Sequence, residues 1–112
     1  MPEKKISNAI MKHLRKQGIL CFRHEPITYN PKTGTHVTSP YSMNGVADIL
    51  AVMPDGTGRF LAIEVKAKNG KQSPNQVIFE KRLQAHKGVY CLVKSIDDVN
   101  ECLRTNTLQT SS

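Results

Sequence analysis

Apolar residues along the chain fall into two patterns, one typical of helices and one typical of strands. Helical spacing is found near the start, between Pro2 and a glycine stop at Gly18. Two further helix starts lie at Ser73, where Pro and a capping Gln follow, and at Ser95. The buried side of the helix after Ser73 is predicted to consist of Val77, Ile78, Phe79 and Leu83. Four short apolar runs have strand length: 19–23, 49–53, 60–65 and 89–93. These elements predict an α/β domain in the order α-β-β-β-α-β-α, with a mixed central sheet flanked by helices.

Residues 25–44 interrupt this alternation with four Pro or Gly residues among polar ones. A loop of about twenty residues is unusual in a small domain and is often functional. One interpretation is a hairpin in which 27–29 pair with 36–38, forming a flap that contacts DNA or a second subunit. The alternative is a disordered insertion.

Two of the predicted strands bring charged residues into apolar surroundings. Asp48 precedes the run at 49–53, while Glu64 interrupts the run at 60–65. A buried charge costs several kcal/mol unless a partner or a metal ion compensates it. The turn-forming residues 54–59 join the two runs as an antiparallel hairpin centred between Gly and Thr. Asp48 and Glu64 are then expected to lie side by side at its open end.

Lys66 follows Glu64 at a spacing that puts both side chains on one face of a strand. Two carboxylates suit Mg²⁺, with Mn²⁺ as a substitute, whereas Zn²⁺ would favour His or Cys. We expect the ion to be bound by Asp48, Glu64 and the backbone carbonyl of Val65, where it could polarise a phosphodiester for hydrolysis. Lys66 would position the nucleophile and stabilise charge on the phosphate oxygens. The alternative is a surface salt bridge between Lys66 and one of the acids.

Three short motifs resemble those of the virus-type replication-repair nuclease (VRR-NUC) domain: Gly45-x-x-Asp48, Glu64-x-Lys66 and Ser73-x-x-Gln76. That domain belongs to the restriction-endonuclease-like, or PD-(D/E)xK, superfamily. The resemblance covers one domain over residues 1–104 and implies a restriction-endonuclease-like core. It also implies a metal-dependent, structure-selective DNA endonuclease, and stand-alone phage members are similar to Holliday junction resolvases. Ala47 stands where the superfamily pattern has Pro, a departure that is common.

The resemblance gives a second role to two residues that also have ordinary structural explanations. Glu3, in the first turn of the first helix, complements the helix dipole. Many relatives place a helix-one Glu at the metal centre, which would make Glu3 a further metal ligand. Gln76 completes a capping box with Ser73. The family implies that a Gln at this position lines the active site near the attacking water or the phosphate.

The charge of the chain favours a polyanionic partner. It has 112 residues, with 16 Lys and Arg against 9 Asp and Glu, and a net charge of +7. Basic residues flank the acidic pair on both sides along the chain, and we expect these to bind DNA phosphates: Arg23, Lys32, His36, Lys68 and Lys71. Few aromatic residues argue against a base-stacking platform, so branched or duplex DNA is the expected substrate. A four-way junction needs two symmetric cuts, so the size and family imply a homodimer.

Other features narrow the class of protein. No apolar run reaches membrane-spanning length and the start lacks a signal-peptide stretch, so we expect a cytoplasmic protein without membrane association. The three cysteines have no Cys-x-x-Cys spacing, which predicts neither a disulfide framework nor a zinc site. Cys21 and Cys91 are expected in the core. Residues 105–112 are polar and are predicted to be a disordered tail.

Three alternatives to a junction resolvase stay open. The enzyme could be a flap or nicking endonuclease acting as a monomer. The chain could instead be a catalytically silent DNA-binding module of a phage replication or repair complex, using its basic surface only. In the third alternative the carboxylates are structural and the protein binds an acidic protein partner.

Overall fold

The structure is a computed structural model that describes residues 2–25, 27–38 and 41–109, with the backbone alone for 27–29 and 36–38. The elements are α1 Glu3–Lys16, β1 Cys21–Arg23, β2 Ile27–Asn30, β3 Thr35–Thr38, β4 Ile49–Val52, β5 Phe60–Val65, α2 Pro74–Ala85, β6 Val89–Val93 and α3 Ile96–Asn106. The predicted α/β order is confirmed, with the β2–β3 pair added between β1 and β4. No helix in the described ranges is long and apolar enough to cross a membrane.

A four-stranded mixed sheet in the order β1-β4-β5-β6 forms the centre of the molecule. β4 is antiparallel to both β1 and β5, whereas β6 returns parallel to β5 after the α2 crossover. α1 and α3 pack on one face, where Ile10, Leu14 and Val99 are fully buried against odd-numbered strand residues. On the opposite face α2 packs through the partly buried Phe79 and Leu83.

One residue predicted for the buried side of α2 lies outside it. Ile78 is 54% exposed, although the sequence predicts that it packs with Val77, Phe79 and Leu83. Successive helical residues are about 100° apart, and the sheet lies under Phe79 and Leu83. Ile78 therefore points to one side of the contact between α2 and the sheet. The apolar face that α2 buries is narrower than the sequence indicates.

The β4–β5 turn determines which residues face each other across the hairpin. The N–H of Met53 donates to the carbonyl of Arg59 at 2.9 Å, so the turn is centred on Gly56 and not half a residue later. Ile49 therefore pairs with Ile63. The next positions outward are those of Asp48 and Glu64.

Residues 27–38 form the hairpin that the sequence allows. The predicted pairing of 27–29 with 36–38 is confirmed, since Tyr29 lies opposite His36 in a separate two-stranded sheet. Gly34 adopts a φ of +68° in the connecting turn. The contact of this hairpin with DNA or with a second subunit stays a prediction.

The cysteines are arranged differently from the sequence-based expectation. Cys91 of β6 and Cys102 of α3 form a disulfide, while Cys21 is free and buried. The expectation of no disulfide is therefore wrong for this pair, because α3 packs on β6 and brings their Cα atoms to 6.1 Å. The expected core positions of Cys21 and Cys91 are confirmed.

Residues 105–108, at the start of the predicted tail, belong to α3 or contact the rest of the domain. α3 continues to Asn106, and the N–H of Leu108 donates to Asp55 Oδ2 at 3.0 Å. The guanidinium of Arg59 donates to the carbonyl of Asn106 at 2.7 Å. These contacts tie the start of the predicted tail to the β4–β5 turn; residues 110–112 lie outside the described ranges.

Candidate functional site

Two acids occupy neighbouring positions where the β4–β5 hairpin opens. Asp48 accepts a hydrogen bond from the N–H of Val65 at 3.0 Å through Oδ2, and its carboxyl is close enough to that of Glu64 to raise the pKa of Glu64. Glu64 is 1% exposed, one of two polar residues buried in the described part of the chain. The predicted adjacency of Asp48 and Glu64 is therefore confirmed.

The electrostatics of this pair are unfavourable for two negative charges. Burial raises the pKa of Glu64 to about 8, and the hydrogen bond and negative charge of Asp48 add to this effect. The ammonium group of Lys66 lowers the pKa of Glu64, and the negative charge of Glu3 raises it by a smaller amount. Among the described residues, the ion pairs are Asp55–Arg59 and Glu101–Arg104, and neither involves Asp48 or Glu64. Within the part of the chain that the structure describes, no Lys, Arg or His side chain thus forms an ion pair with either acid.

Gln76 contacts Glu64 because the cap of α2 orients its amide. The Oε1 atom of Gln76 accepts the N–H of Ser73 at 2.8 Å, and Ser73 Oγ accepts the N–H of Gln76 at 3.2 Å. With its oxygen occupied, the amide directs Nε2 to Glu64 Oε1 at 2.8 Å. The capping role is confirmed, and the same side chain also contacts the acidic pair.

Gly45 brings the chain before Asp48 against the first turn of α2. Its φ is +79°, and a Cβ atom built there would lie 2.3 Å from the carbonyl oxygen of Asn75 and 2.8 Å from the nitrogen of Gln76. Glycine is the residue that permits both the left-handed backbone and this approach. The Gly45-x-x-Asp48 spacing therefore sets the position of Asp48 relative to α2.

Glu3 and Lys66 complete the cluster from the other face of the sheet and from the strand end. Glu3 is exposed, and its Oε1 accepts the N–H of Ala67 at 3.3 Å. Lys66 is half-buried, and its N–H donates to the carbonyl of Val93 at 2.9 Å. α1 and α2 both begin at this end of the sheet, so the positive ends of two helix dipoles lie near the acids.

The donors present fit a hard divalent cation. In the described ranges, no group of three or more His, Cys, Asp or Glu side chains is arranged to hold a metal ion. Mg²⁺ in phosphate-processing sites commonly takes one or two carboxylates, with water and phosphate oxygens in the other positions. Asp48 and Glu64 could supply those two carboxylates, and the backbone carbonyl of Val65 follows Glu64 directly along the chain. Glu3 would reach such an ion through water.

An open cleft of about 390 Å³ lies beside Asp48 on the α1 side. Its lining includes Glu3, Lys4 and Arg23. The guanidinium of Arg23 donates to Ser7 Oγ at 3.0 Å and to Asn8 Oδ1 at 2.7 Å. Arg23, one of the predicted DNA-binding residues, is thus held at the edge of this cleft by α1.

The other residues predicted to bind DNA are distributed over two loops. Lys68 and Lys71 are exposed in the β5–α2 connection that follows Lys66. Lys32 is exposed in the β2–β3 turn, and the side chain of His36 lies outside the described part. Lys68 and Lys71 follow Glu64 by four and seven residues along the chain, while the hairpin residues belong to the separate sheet.

A polar network beside the site has no counterpart in the sequence-based prediction. Gln72 Nε2 donates to Glu80 Oε1 at 3.1 Å and to the hydroxyl of Tyr90 at 3.2 Å. Burial raises the pKa of Tyr90 to about 12, so its hydroxyl stays protonated. Gln76 and Glu80 are four residues apart on α2 and therefore lie on the same face of the helix. This spacing is the feature of the sequence from which the position of Glu80 beside the sheet could have been predicted.

No protein-family model matches this chain, and no curated protein matches it. Function is therefore inferred from the geometry of the site.

Proposed function

We propose that the protein is a metal-dependent DNA endonuclease with a restriction-endonuclease-like core of the VRR-NUC type, acting on branched DNA such as a Holliday junction. The observation that carries this proposal is Glu64, a carboxyl that is 1% exposed and lies beside a second carboxyl, that of Asp48. Two acids sharing a buried site are destabilising unless a cation compensates them. The mixed sheet with its α2 crossover is compatible with such a core.

Each residue of the cluster has a distinct role in this reaction. Bound Mg²⁺, or Mn²⁺ in its place, would polarise the phosphate and lower the pKa of water. Asp48, Glu64 and the carbonyl of Val65 would hold the ion, with Glu3 as an outer contributor. Lys66 orients the nucleophile and stabilises charge on the phosphate oxygens.

Gln76 fixes the orientation of the Glu64 carboxyl through its 2.8 Å hydrogen bond. Its own position depends on the α2 cap, so the orientation is built into the backbone. Preorganised ligands of this kind need no rearrangement when substrate binds.

Phosphate contacts would position the DNA around the cleft. Arg23 lies at its edge, and Lys68 and Lys71 follow the cluster on an exposed loop. Lys32 and His36 would extend these contacts along the β2–β3 hairpin. Such contacts recognise the backbone and shape of a branched or duplex substrate without reading its bases.

A homodimer is the assembly we propose for symmetric cleavage. Phe22, Phe60 and Leu92 are 54%, 44% and 46% exposed on the sheet face that α2 only partly covers, and Ile78 of α2 adds to them. Exposed apolar patches often mark protein interfaces. Sedimentation velocity would show a dimer; a monomer at assay concentration would contradict this assembly.

The test compares wild type with Glu64→Gln on labelled four-way junction, flap and linear duplex in the presence of Mg²⁺. Loss of a ligand charge should lower the cleavage rate by at least about 10²-fold. Even mutation of a residue that only hydrogen-bonds to a metal ligand typically lowers metal affinity or activity by about 10- to 100-fold. Glu101→Gln is the matched control, because it makes the same chemical change at an exposed acid paired with Arg104. We expect it to cleave at the wild-type rate.

The second candidate is a DNA-binding module without catalysis. It is favoured by the net charge of +7 and by the amide of Gln76, which already satisfies the Glu64 carboxyl. Folded wild type that binds the junction but cuts none of the three substrates, with Mg²⁺ or Mn²⁺, would establish this module. Preferential cutting of the flap by a monomer would instead establish the flap endonuclease.

A further inference from the structure

Basic residues of α1 form an exposed row that begins at the cleft. After Glu3 the helix has no acidic residue and five basic ones: Lys4, Lys5, Lys12, Arg15 and Lys16. Lys12 and Arg15 follow Lys4 by eight and eleven residues, which places them about 80° and 20° further round the helix axis. Lys4, Lys12 and Arg15 therefore share one flank of α1, and all three are exposed.

This flank lies on the solvent side of α1, opposite the buried Ile10, and its Lys4 end reaches the cleft. Lys4 itself lines the cleft, and Asn8 on the same flank accepts the hydrogen bond from Arg23. On the other side of α1, His13 Nε2 is 2.8 Å from Asn100 Oδ1 of α3. The row thus begins at Lys4, on the rim of a cleft that also holds acidic residues, and continues along α1 away from α3 and its acidic first turn.

Helix stability does not explain the row. A cation in the last turn, such as Arg15, interacts favourably with the helix dipole, but Lys4 lies in the first turn, where a positive charge is unfavourable. In the described ranges no ion pair involves Lys4, Lys12 or Arg15. Three cations on one flank without acidic partners repel each other and favour an external polyanion.

We propose that Lys4, Lys12 and Arg15 bind the phosphates of a duplex DNA arm that runs from the cleft along α1. This inference rests on the proposed function, which identifies the cleft as the place where the substrate enters. The row spans about 16 Å along the helix, which equals the rise of about five base pairs. The basic residues of α2 are less suited, because no α2 residue lines the cleft and Arg82 borders a separate apolar one.

The test compares two triple variants that remove the same charge. One is Lys4→Gln/Lys12→Gln/Arg15→Gln on α1. The control is Lys81→Gln/Arg82→Gln on α2 combined with Lys87→Gln, two residues after its end. Binding of a labelled linear duplex and a four-way junction is measured in EDTA, to prevent cleavage, over a range of KCl concentrations. Three lost phosphate contacts should reduce the slope of log K against log[salt] by about 2 to 3, while the control keeps the wild-type slope.

A wild-type slope in the α1 variant, or an equal reduction in both variants, would overturn the proposal. Circular dichroism checks that both variants are folded; if the α1 triple variant is not, Lys12→Gln alone should reduce the slope by about 1. Cleavage by wild type separates this inference from the function on which it rests. If wild type cuts the junction while the α1 variant keeps its slope, the nuclease stands and the duplex track fails. If wild type binds with the expected slope difference but never cuts, the track stands and the nuclease fails.

Discussion

The close approach of Gly45 to α2 provides a direct test of how the site is assembled. Gly45→Ala adds one methyl group at a position where φ is +79°. The new Cβ would lie 2.3 Å from the carbonyl oxygen and 2.4 Å from the carbonyl carbon of Asn75. Both are backbone atoms of a helix, so they cannot rotate away as a side chain can. The first turn of α2 must retreat.

The expected loss of stability has two parts. A left-handed conformation for a residue with a Cβ costs about 1–2 kcal/mol, and an overpacked contact typically costs about 1–3 kcal/mol. Gly56→Ala is the matched control, since Gly56 has the same φ of +79° but no atom within 4 Å of the added Cβ. We therefore expect the free energy of unfolding to fall by about 2–5 kcal/mol for Gly45→Ala and by about 1–2 kcal/mol for Gly56→Ala.

The displacement also reaches the proposed active site. To restore even a 3.0 Å separation, the first turn of α2 must move by about 0.7 Å, and Gln76 lies in that turn. Its 2.8 Å hydrogen bond to Glu64 would then exceed normal length. A misplacement of about 1 Å can lower a catalytic rate by about 10²-fold. Gly56→Ala, in the turn at the other end of β4, should cleave as wild type does.

Urea unfolding of the three proteins at pH 7 measures the first effect, and junction cleavage with Mg²⁺ measures the second. The reasoning is refuted if Gly45→Ala and Gly56→Ala lose equal stability, because the close approach would then contribute nothing. Wild-type cleavage by a destabilised Gly45→Ala would show that the position of Gln76 does not matter.

Two further predictions concern pH. In metal-free protein the free energy of unfolding should fall as the pH rises from 4.5 towards 8, because the pKa of Glu64 is about 4.5 in the unfolded chain but about 8 in the folded protein. Urea unfolding should show this fall in wild type but not in Glu64→Gln, and added Mg²⁺ should reverse it in wild type. A flat wild-type profile would contradict the prediction. Asp55→Asn should lower Tm at pH 7, because hydrogen bonds from Thr57, Leu108 and Arg59 hold the pKa of Asp55 far below its ordinary value of 3.8. In thermal melts, the difference in Tm between wild type and variant should shrink as the pH falls below 3.8. Equal Tm values at pH 7 would exclude a stabilising role for the Asp55 carboxylate.

Local signals predicted the parts of the fold that depend on neighbouring residues. The turn residues 54–59 predicted the β4–β5 hairpin, and with it the adjacency of Asp48 and Glu64, because a short turn determines which residues pair. The cap at Ser73 predicted the start of α2 for the same reason. Contacts between distant elements were beyond these signals. The Cys91–Cys102 disulfide depends on how α3 packs against β6, which no local pattern specifies.

Gln76 shows where sequence-based reasoning about the site reached its limit. The sequence supported two roles for this residue, the α2 cap and the acidic cluster, as alternatives. An amide has an acceptor oxygen and a donor nitrogen, so one side chain serves both: Oε1 completes the cap and Nε2 binds Glu64. That conclusion requires the distance between α2 and β5, which depends on Gly45 and on packing across the sheet.

Departures from ordinary local preference concentrate at one end of the sheet. Glu64 is a buried acid in an apolar strand, its nearest acidic neighbour is Asp48, and Gly45 adopts a strained approach to the first turn of α2. Apolar side chains at buried charged positions are often neutral or stabilising, so stability alone does not account for this arrangement. Natural proteins break such rules mainly where function requires it. The same end holds the cleft and the starts of α1 and α2, whose dipoles favour an anion. A cation bound between the acids and a phosphate facing both helices would relieve the charge repulsion and use the cleft, which is the arrangement a phosphodiesterase needs.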